Sequence, residues 1–383
     1  MKFDFAALTE IVFGSGRIAE LGARAKSYGR HALLVTGASS DRFPSALRAL
    51  EQASVAYTVF NVPQEPTTEL VRDGVNRARA AGVDLVIGLG GGSALDAAKA
   101  IAGLVANGGD PFDYLEVVGR GLPLESPGLP CLAIPTTSGT GSEVTKNSVL
   151  QAESHNVKVS LRSVHLLPKI ALLDPELTCT VPPDVTAATG LDALTQCLEP
   201  FVSIARGPLT DALCVEGLRR GARSLRRAYE VGTDLAARED LAVTSLFGGL
   251  SLANAKLGAV HGFAGPLGGA LSAPHGALCA RLLPEVMRVN IALGRQRAEH
   301  DVLSRYDVIA QLLTGRDSAR AEDGVLWVRD CVAALNIPRL ARYGLDLAGC
   351  VEIIPRARAA SSMKGNPFEL PEQALRDVLE SAL

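Results

Sequence analysis

The stretch Leu85-Val86-Ile87-Gly88-Leu89-Gly90-Gly91-Gly92-Ser93-Ala94-Leu95-Asp96-Ala97-Ala98-Lys99-Ala100-Ile101, running on to Ala106, decides how the rest of the chain is read. Its first part is a short apolar run that stops at glycines, as a strand buried on both faces of a parallel sheet does. Beyond the glycines, Leu95, Ala98, Ile101, Ala102 and Val105 recur at helical spacing in an alanine-rich segment. Ser93 stands at the expected N-cap, and Asp96, three residues on, completes a capping-box-like start. Strand, glycine turn and helix in that order aim backbone N–H groups and a helix N-terminus at one point, which is an anion site. A tight turn uses glycine for its dihedral angles alone. Three consecutive glycines exceed that need and support phosphate binding by Gly91, Gly92 and Ser93.

The same alternation extends outward. Short β-rich runs at 11–16, 32–37, 55–62, 129–135 and 170–174 are interleaved with helical patterns at 45–52 and 70–81. That order predicts an α/β domain with a mainly parallel sheet, whose ligands bind at the carboxyl ends of the strands. After Pro182-Pro183 the strand signals nearly vanish, and helical patterns follow at 186–199, 209–228, 235–250 and 325–335. The expected division is therefore 1–183, an α/β dinucleotide-binding domain, and 184–383, a helical domain.

Composition narrows the function. A chain of 383 residues exceeds one ordinary core. Its formal net charge of −3 and 4% aromatic content speak against a nucleic-acid or anionic-membrane surface. No apolar run reaches the length of a membrane span. The start, Met1-Lys2-Phe3-Asp4-Phe5, carries an early acid and lacks an apolar signal core. Seven cysteines lie scattered without a C-x-x-C pair. They read as small buried hydrophobes in a reducing cytoplasm.

Two further clusters carry chemistry. Pro135-Thr136-Thr137-Ser138-Gly139-Thr140-Gly141-Ser142-Glu143-Val144-Thr145 directly follows the run Leu132-Ala133-Ile134. Its hydroxyls and N–H groups suit a cofactor's phosphate, ribose or carboxamide, although a solvent loop with local Ser/Thr turns has the same composition. In the helical half, Asp192 and Gln196 are spaced i, i+4 and share a helix face. His261 and His275 follow, the latter after Pro274, which suggests a helix start. Taken alone, each His is as readily structural as metal-binding.

Together these motifs carry a resemblance. Gly-Gly-Gly-Ser-x-x-Asp-x-x-Lys (90–99), Pro-Thr-Thr-x-Gly-Thr-Gly-Ser-Glu-x-Thr (135–145), Gly190-Leu191-Asp192-Ala193-Leu194-Thr195, and Pro274-His275-Gly276 with Leu282-Leu283-Pro284-x-Val286-Met287-x-x-Asn290 resemble the iron-containing alcohol dehydrogenase family. The likeness runs from Phe13 to Asn290. It implies a Rossmann-like N-terminal domain, an all-helical C-terminal domain in the dehydroquinate synthase-like architecture, and a cleft between them. There the family holds a nicotinamide cofactor and a divalent metal, ferrous iron or zinc. The family's metal ligands fall on Asp192, His261 and His275, and its fourth ligand, a His, is Gln196 here. A second family His, tied to proton relay, is Gly265 here. Gln offers a neutral carbonyl oxygen, a weaker ligand than imidazole; the related glycerol dehydrogenases manage with an Asp and two His.

Under this resemblance His261 and His275 are catalytic through the metal, which stabilises negative charge on the substrate oxygen. Gly91, Gly92, Ser93 and Asp96 hold the pyrophosphate. Thr136, Thr137, Thr140, Thr145, Asn147 and Lys158 match positions around the nicotinamide and its ribose. In NAD-specific relatives a carboxylate following a Val-Thr pair accepts the ribose 2′-hydroxyl. Here Val35-Thr36 is followed by Gly37, Ala38, Ser39 and Ser40, with Arg42 nearby. Gly37 and Ser39 thus point to NADP(H), with NAD(H) accepted. The substrate expected is a small alcohol or aldehyde, and the resemblance suggests a homodimer. Three other readings compete: a maleylacetate reductase-like oxo-acid reductase, independent of metal; a lyase like dehydroquinate synthase; and a cofactor-binding protein that has lost turnover. The lyase has a phosphate pocket rich in Lys and Arg, whereas the window 186–200 has no basic residue.

Overall fold

Apolar runs in the first half become the strands of one sheet. The computed structural model describes residues 3–37, 39–155 and 157–383. Expectations that touch Met1, Lys2 and Ala38 fall outside them. The strands are β1 (Glu10–Phe13), β2 (His31–Thr36), β3 (Ala56–Asn61), β4 (Leu85–Gly90), β5 (Cys131–Pro135), β6 (Asn147–Ala152), β7 (Val157–Arg162) and β8 (Ile170–Leu173). Six of them form a sheet in the order β1-β8-β5-β4-β2-β3, and every pairing in it is parallel. The helices of this half are α1 (Leu21–Lys26), α2 (Pro44–Gln52), α3 (Thr68–Ala81), α4 (Gly92–Asn107) and α5 (Pro111–Tyr114). Alternate residues of β2 feed opposite faces: Leu33 and Val35 join the core beneath α3 and α4, while Ala32 and Leu34 join the core beneath α1 and α2. A sheet covered on both faces requires the near-continuous apolar strands seen in the sequence.

β6 and β7 form a separate antiparallel hairpin, with Asn147 opposite Arg162 and Ala152 opposite Val157. The sequence reading passes over this hairpin. Its signal is a period-two alternation: Leu150, Ala152, Val159 and Leu161 are buried, and Val149, Gln151, Lys158 and Ser160 between and beside them are less so. Such short half-polar strands read as loop beside the apolar runs of the sheet.

The second half is helical: α6 (Pro183–Val202), α7 (Pro208–Glu230), α8 (Leu235–Ala255), α9 (Ala259–Ala270), α10 (His275–Gln296), α11 (His300–Thr314), α12 (Ala321–Ala334), α13 (Leu347–Ala359) and α14 (Glu372–Ala382). Among the described residues no strand follows β8. Helix α6 is buried along almost its whole length, so it lacks the polar face of a surface helix. Its neighbours α7, α8 and α10 pack round it.

The chain divides into two compact units, one of residues 7–137 with 141–180 and one of residues 181–383 with the described residues up to Ala6 and with Ser138–Thr140. The two short segments that group with the helices have no counterpart in a linear reading. Gly139 shows why the second does so: a Cβ there would stand 2.7 Å from the Thr189 Cβ on α6. Among the described residues no helix is long and apolar enough to cross a membrane.

Candidate functional site

Three helices of the second unit converge on Asp192. Asp192, Gln196 and Glu199 lie along α6, His261 near the start of α9, and His275 is the first residue of α10, with Pro274 as its N-cap. Two glycines permit the approach. A Cβ on Gly276 would lie 2.4 Å from the Ala188 carbonyl oxygen, and one on Gly258 would lie 2.8 Å from Glu199 Oε1. Glu199 then accepts from the Val260 N–H at 2.6 Å and from His261 Nδ1 at 2.7 Å. It caps α9 and fixes the proton of His261 on Nδ1, which leaves the Nε2 lone pair facing the site.

His261 Nε2 and Asp192 Oδ1 lie 3.3 Å apart, yet both are buried without a hydrogen-bond partner, as is Gln196 Oε1. Buried polar atoms are normally satisfied. Two lone-pair atoms facing one another across such a gap fit a cation between them. Burial alone would raise the Asp192 carboxyl, but the adjacent His261 and His275 imidazoles outweigh it and hold the group below its ordinary value. Burial would lower His261, but Cys279 and the Asp192 and Glu199 side chains outweigh it and push the imidazole well above 6.5, so a proton competes with a metal ion for the Nε2 lone pair. The site therefore favours positive charge at its centre. Ligand atoms of Asp192, His261, His275 and Cys279 all fall within 4.8 Å of one another. Gln196 instead donates from Nε2 to Asp192 Oδ2 at 3.0 Å.

The glycine turn of the first unit is tightly packed. A Cβ on Gly90 would stand 2.7 Å from the Ala94 Cβ and 3.0 Å from the Gly37 N, so α4 and the end of β2 close on it. Gly91 is the N-cap of α4, in extended conformation, and no side chain caps the helix. This corrects the sequence expectation: Ser93 lies inside the first turn and is not the cap. Asp96 does not complete a capping box. Its carboxylate accepts from the Ser142 hydroxyl and from the Val149 N–H at 3.0 Å, and it pairs with Lys99 Nζ at 3.1 Å. Thr136 N donates to the Gly90 carbonyl at 3.0 Å, and the Thr137 hydroxyl would meet a Cβ on Gly91 at 3.3 Å. The structure thus gathers Gly37, Gly91, Gly92, Ser93, Thr136 and Thr137 round one helix N-terminus.

The other expected cofactor residues are placed differently. Fully buried Lys99 donates to the Ser142 carbonyl at 2.9 Å, to Thr145 Oγ1 at 3.3 Å and to the Asn147 carbonyl. Asn147 Oδ1 accepts from Arg162 at 2.9 Å, and Lys158 pairs with Glu65. Thr140 groups with the helical unit. The Ser39 hydroxyl bonds the Asp41 carboxylate at 3.2 Å, which puts an acid near the end of β2 that the reading of 37–40 does not count. Arg42 Nη2 reaches Thr180 Oγ1 at 3.5 Å.

The comparisons decide the family. Residues 9–175 match the iron-containing alcohol dehydrogenases, and residues 186–383 match the C-terminal part of the Fe-containing alcohol dehydrogenase family. The chain belongs to the iron-containing alcohol dehydrogenase family. It is 44% identical over 281 residues to long-chain-alcohol dehydrogenase 1 of Geobacillus thermodenitrificans, covering 72% of this chain and 70% of that one. It is 33% identical over 385 residues to 4-hydroxybutyrate dehydrogenase of Cupriavidus necator, covering 98% of each. A solved structure of 1,3-propanediol oxidoreductase superposes with a TM-score of 0.91 at 32% identity, covering both chains fully.

Within this member of the family, four residues escape the sequence reading of the site. Glu199 lies seven residues beyond Asp192, on the same face of α6, and that spacing was a usable signal. Cys279 lies four residues beyond His275 and reads as a small hydrophobe. Lys99 and Glu143 belong to the recognised motifs, but their burial does not show in the sequence. Glu143 Oε1 is buried without a hydrogen-bond partner, and burial pushes its carboxyl up to about 7.

Proposed function

We propose that this chain transfers a hydride between a nicotinamide cofactor and a small alcohol or aldehyde (or ketone), with ferrous iron or zinc held by Asp192, His261 and His275. The observation that carries the reading is the pair of buried, unpartnered atoms His261 Nε2 and Asp192 Oδ1 at 3.3 Å. One carboxylate and two neutral imidazoles suit iron or zinc over magnesium. A divalent ion there supplies Lewis-acid charge for the oxygen that becomes negative as hydride moves. Glu199 keeps the proton of His261 on Nδ1, and Gln196 steadies Asp192 through Oδ2. The N–H groups of Gly91, Gly92 and Ser93 hold the pyrophosphate at the uncapped start of α4. Thr136 and Thr137 border that site. Asp96 and Lys99 act one step back, tying α4 to residues 142–149, where Thr145 and Asn147 lie. Thr140 and Lys158 contribute at the nicotinamide ribose through the family positions they occupy. A Cβ on Gly265 would meet nothing within 4 Å, so space is open for solvent to carry the alcohol proton.

The family implies a homodimer. The absence of a disulfide among the seven cysteines supports a cytoplasmic setting. The relatives described above bear names that span long-chain, acidic and diol substrates, so the chain length and charge of the alcohol are left open.

NADP(H) is the preferred cofactor in this reading, because Gly37 presents no carboxylate to a 2′-phosphate. Its φ lies outside the left-handed region, so the turn does not require glycine there. A Cβ would meet only the Ala94 Cβ at 3.8 Å and the Val62 carbonyl at 4.0 Å, which is ordinary contact. Gly37→Asp therefore fits, and it moves the ratio of kcat/KM for NADPH over NADH at least about tenfold towards NADH. A panel of alcohols, aldehydes and oxo acids with each cofactor tests the whole reading. Turnover restricted to oxo acids, or none with either cofactor, contradicts it. Wild-type efficiency clearly favouring NADH contradicts the cofactor preference and points to Asp41 as the ribose acceptor.

A further inference from the structure

The family's fourth ligand is missing at Gln196, yet the structure brings another donor to the same cluster. Cys279 is fully buried, one helical turn along α10 from His275. Its Sγ lies 3.6 Å from His275 Nε2, and it belongs with Asp192 and His261 to one cluster of donor atoms. Tetrahedral coordination with bonds of about 2.0–2.1 Å to nitrogen or oxygen and about 2.3 Å to sulfur has edges of about 3.4 Å between nitrogen and oxygen and about 3.6 Å between nitrogen and sulfur. The observed gaps of 3.3 Å for His261–Asp192 and 3.6 Å for His275–Cys279 match two such edges. The widest separation among the four donors is within 4.8 Å, which closes by about 1 Å on binding. Gln196 donates from Nε2 to Asp192 Oδ2 at 3.0 Å, and its Oε1 would stand 3.5 Å from a Cβ on Gly248 of α8.

We propose that Cys279 supplies the fourth protein ligand, as a thiolate, to the divalent ion held by Asp192, His261 and His275, with Gln196 orienting Asp192. The inference rests on the metal reading of the same site. Binding exchanges the thiol proton, which goes to solvent, for a metal–sulfur bond, with no change in oxidation state. A thiolate beside two imidazoles favours zinc over ferrous iron.

Cobalt(II) loaded into the metal-stripped full chain is the probe, with one equivalent confirmed by metal analysis. The wild type is expected to show a sulfur-to-cobalt charge-transfer band in the near ultraviolet. Cys279→Ser and Cys279→Ala lose the band, and their zinc affinity falls at least about tenfold. Gln196→His in the Cys279→Ala background restores affinity without the band. Stoichiometric cobalt with no such band in the wild type overturns the assignment of Cys279 and leaves the Asp192, His261 and His275 site standing. That spectrum needs no variant, so misfolding of a mutant does not blunt it. A wild type that binds neither cobalt nor zinc overturns both the inference and the metal reading.

Discussion

His275→Ala is expected to abolish both metal retention and turnover. His275 opens α10 at the point where Gly276 packs against the α6 backbone, which fixes the first turn of α10 against α6. Its ring centroid lies 5.5 Å from that of His261. Removing it takes one imidazole nitrogen from the proposed ligand set, which already lacks the family's fourth imidazole. Loss of several kcal/mol of charge stabilisation on the developing oxyanion corresponds to about a thousandfold or more in kcat. Metal content measured on the purified variant is expected to fall with it, while affinity for the nicotinamide cofactor, whose proposed pyrophosphate site is Gly91, Gly92 and Ser93, is expected to be unchanged. A variant that keeps its metal and turns over within about tenfold of wild type removes His275 from the ligand set.

The second large effect concerns stability. Burial is the main cause that raises Glu143, from 4.5 to about 7; Asp96 adds to the rise, while its own N–H and Lys99 oppose it. Between those values the folded chain binds more protons than the unfolded one. The stabilising contribution is therefore complete below about pH 4.5 and is lost as pH rises through about 7. The shift of about 2.5 units corresponds to roughly 3 kcal/mol across that window. Glu143→Gln removes the ionisation. The fall in Tm of the cofactor-free protein between pH 5 and 8 flattens in the variant. The slope is the readout, because a buried Gln adds its own hydrogen-bonding demands. Parallel curves for the two proteins contradict the assignment.

The division of labour between sequence and structure is physical. The parallel sheet is legible because a strand buried on both faces is apolar along its length, as Leu85 to Leu89 is. The hairpin of β6 and β7 is not, since half of its residues face outward and all of these but Val149 are polar. Asp192, His261 and His275 are legible only through ordered motifs, for no spacing along the chain brings α6, α9 and α10 together. The misplaced cap has a similar cause. Local pattern assigns Asp96 to its own helix, whereas its carboxylate bonds residues 46 and 53 positions away. Lys99 spans comparable separations, reaching 43 to 48 residues along the chain. Cys279 is the sharpest case: seven cysteines without pairing read as inert, and only packing singles out the one beside His275.

The central claim is that the chemistry runs through an ion held by Asp192, His261 and His275. It is tested most directly by stripping the protein exhaustively with a chelator, confirming by metal analysis that the site is empty, and then assaying alcohol oxidation with NADP+ and NAD+ before and after adding ferrous iron or zinc. The account predicts that turnover is lost on stripping, that it returns with either ion up to one equivalent per chain, and that magnesium does not restore it. Full turnover by verified metal-free protein contradicts the account and moves the metal-independent oxo-acid reductase reading ahead.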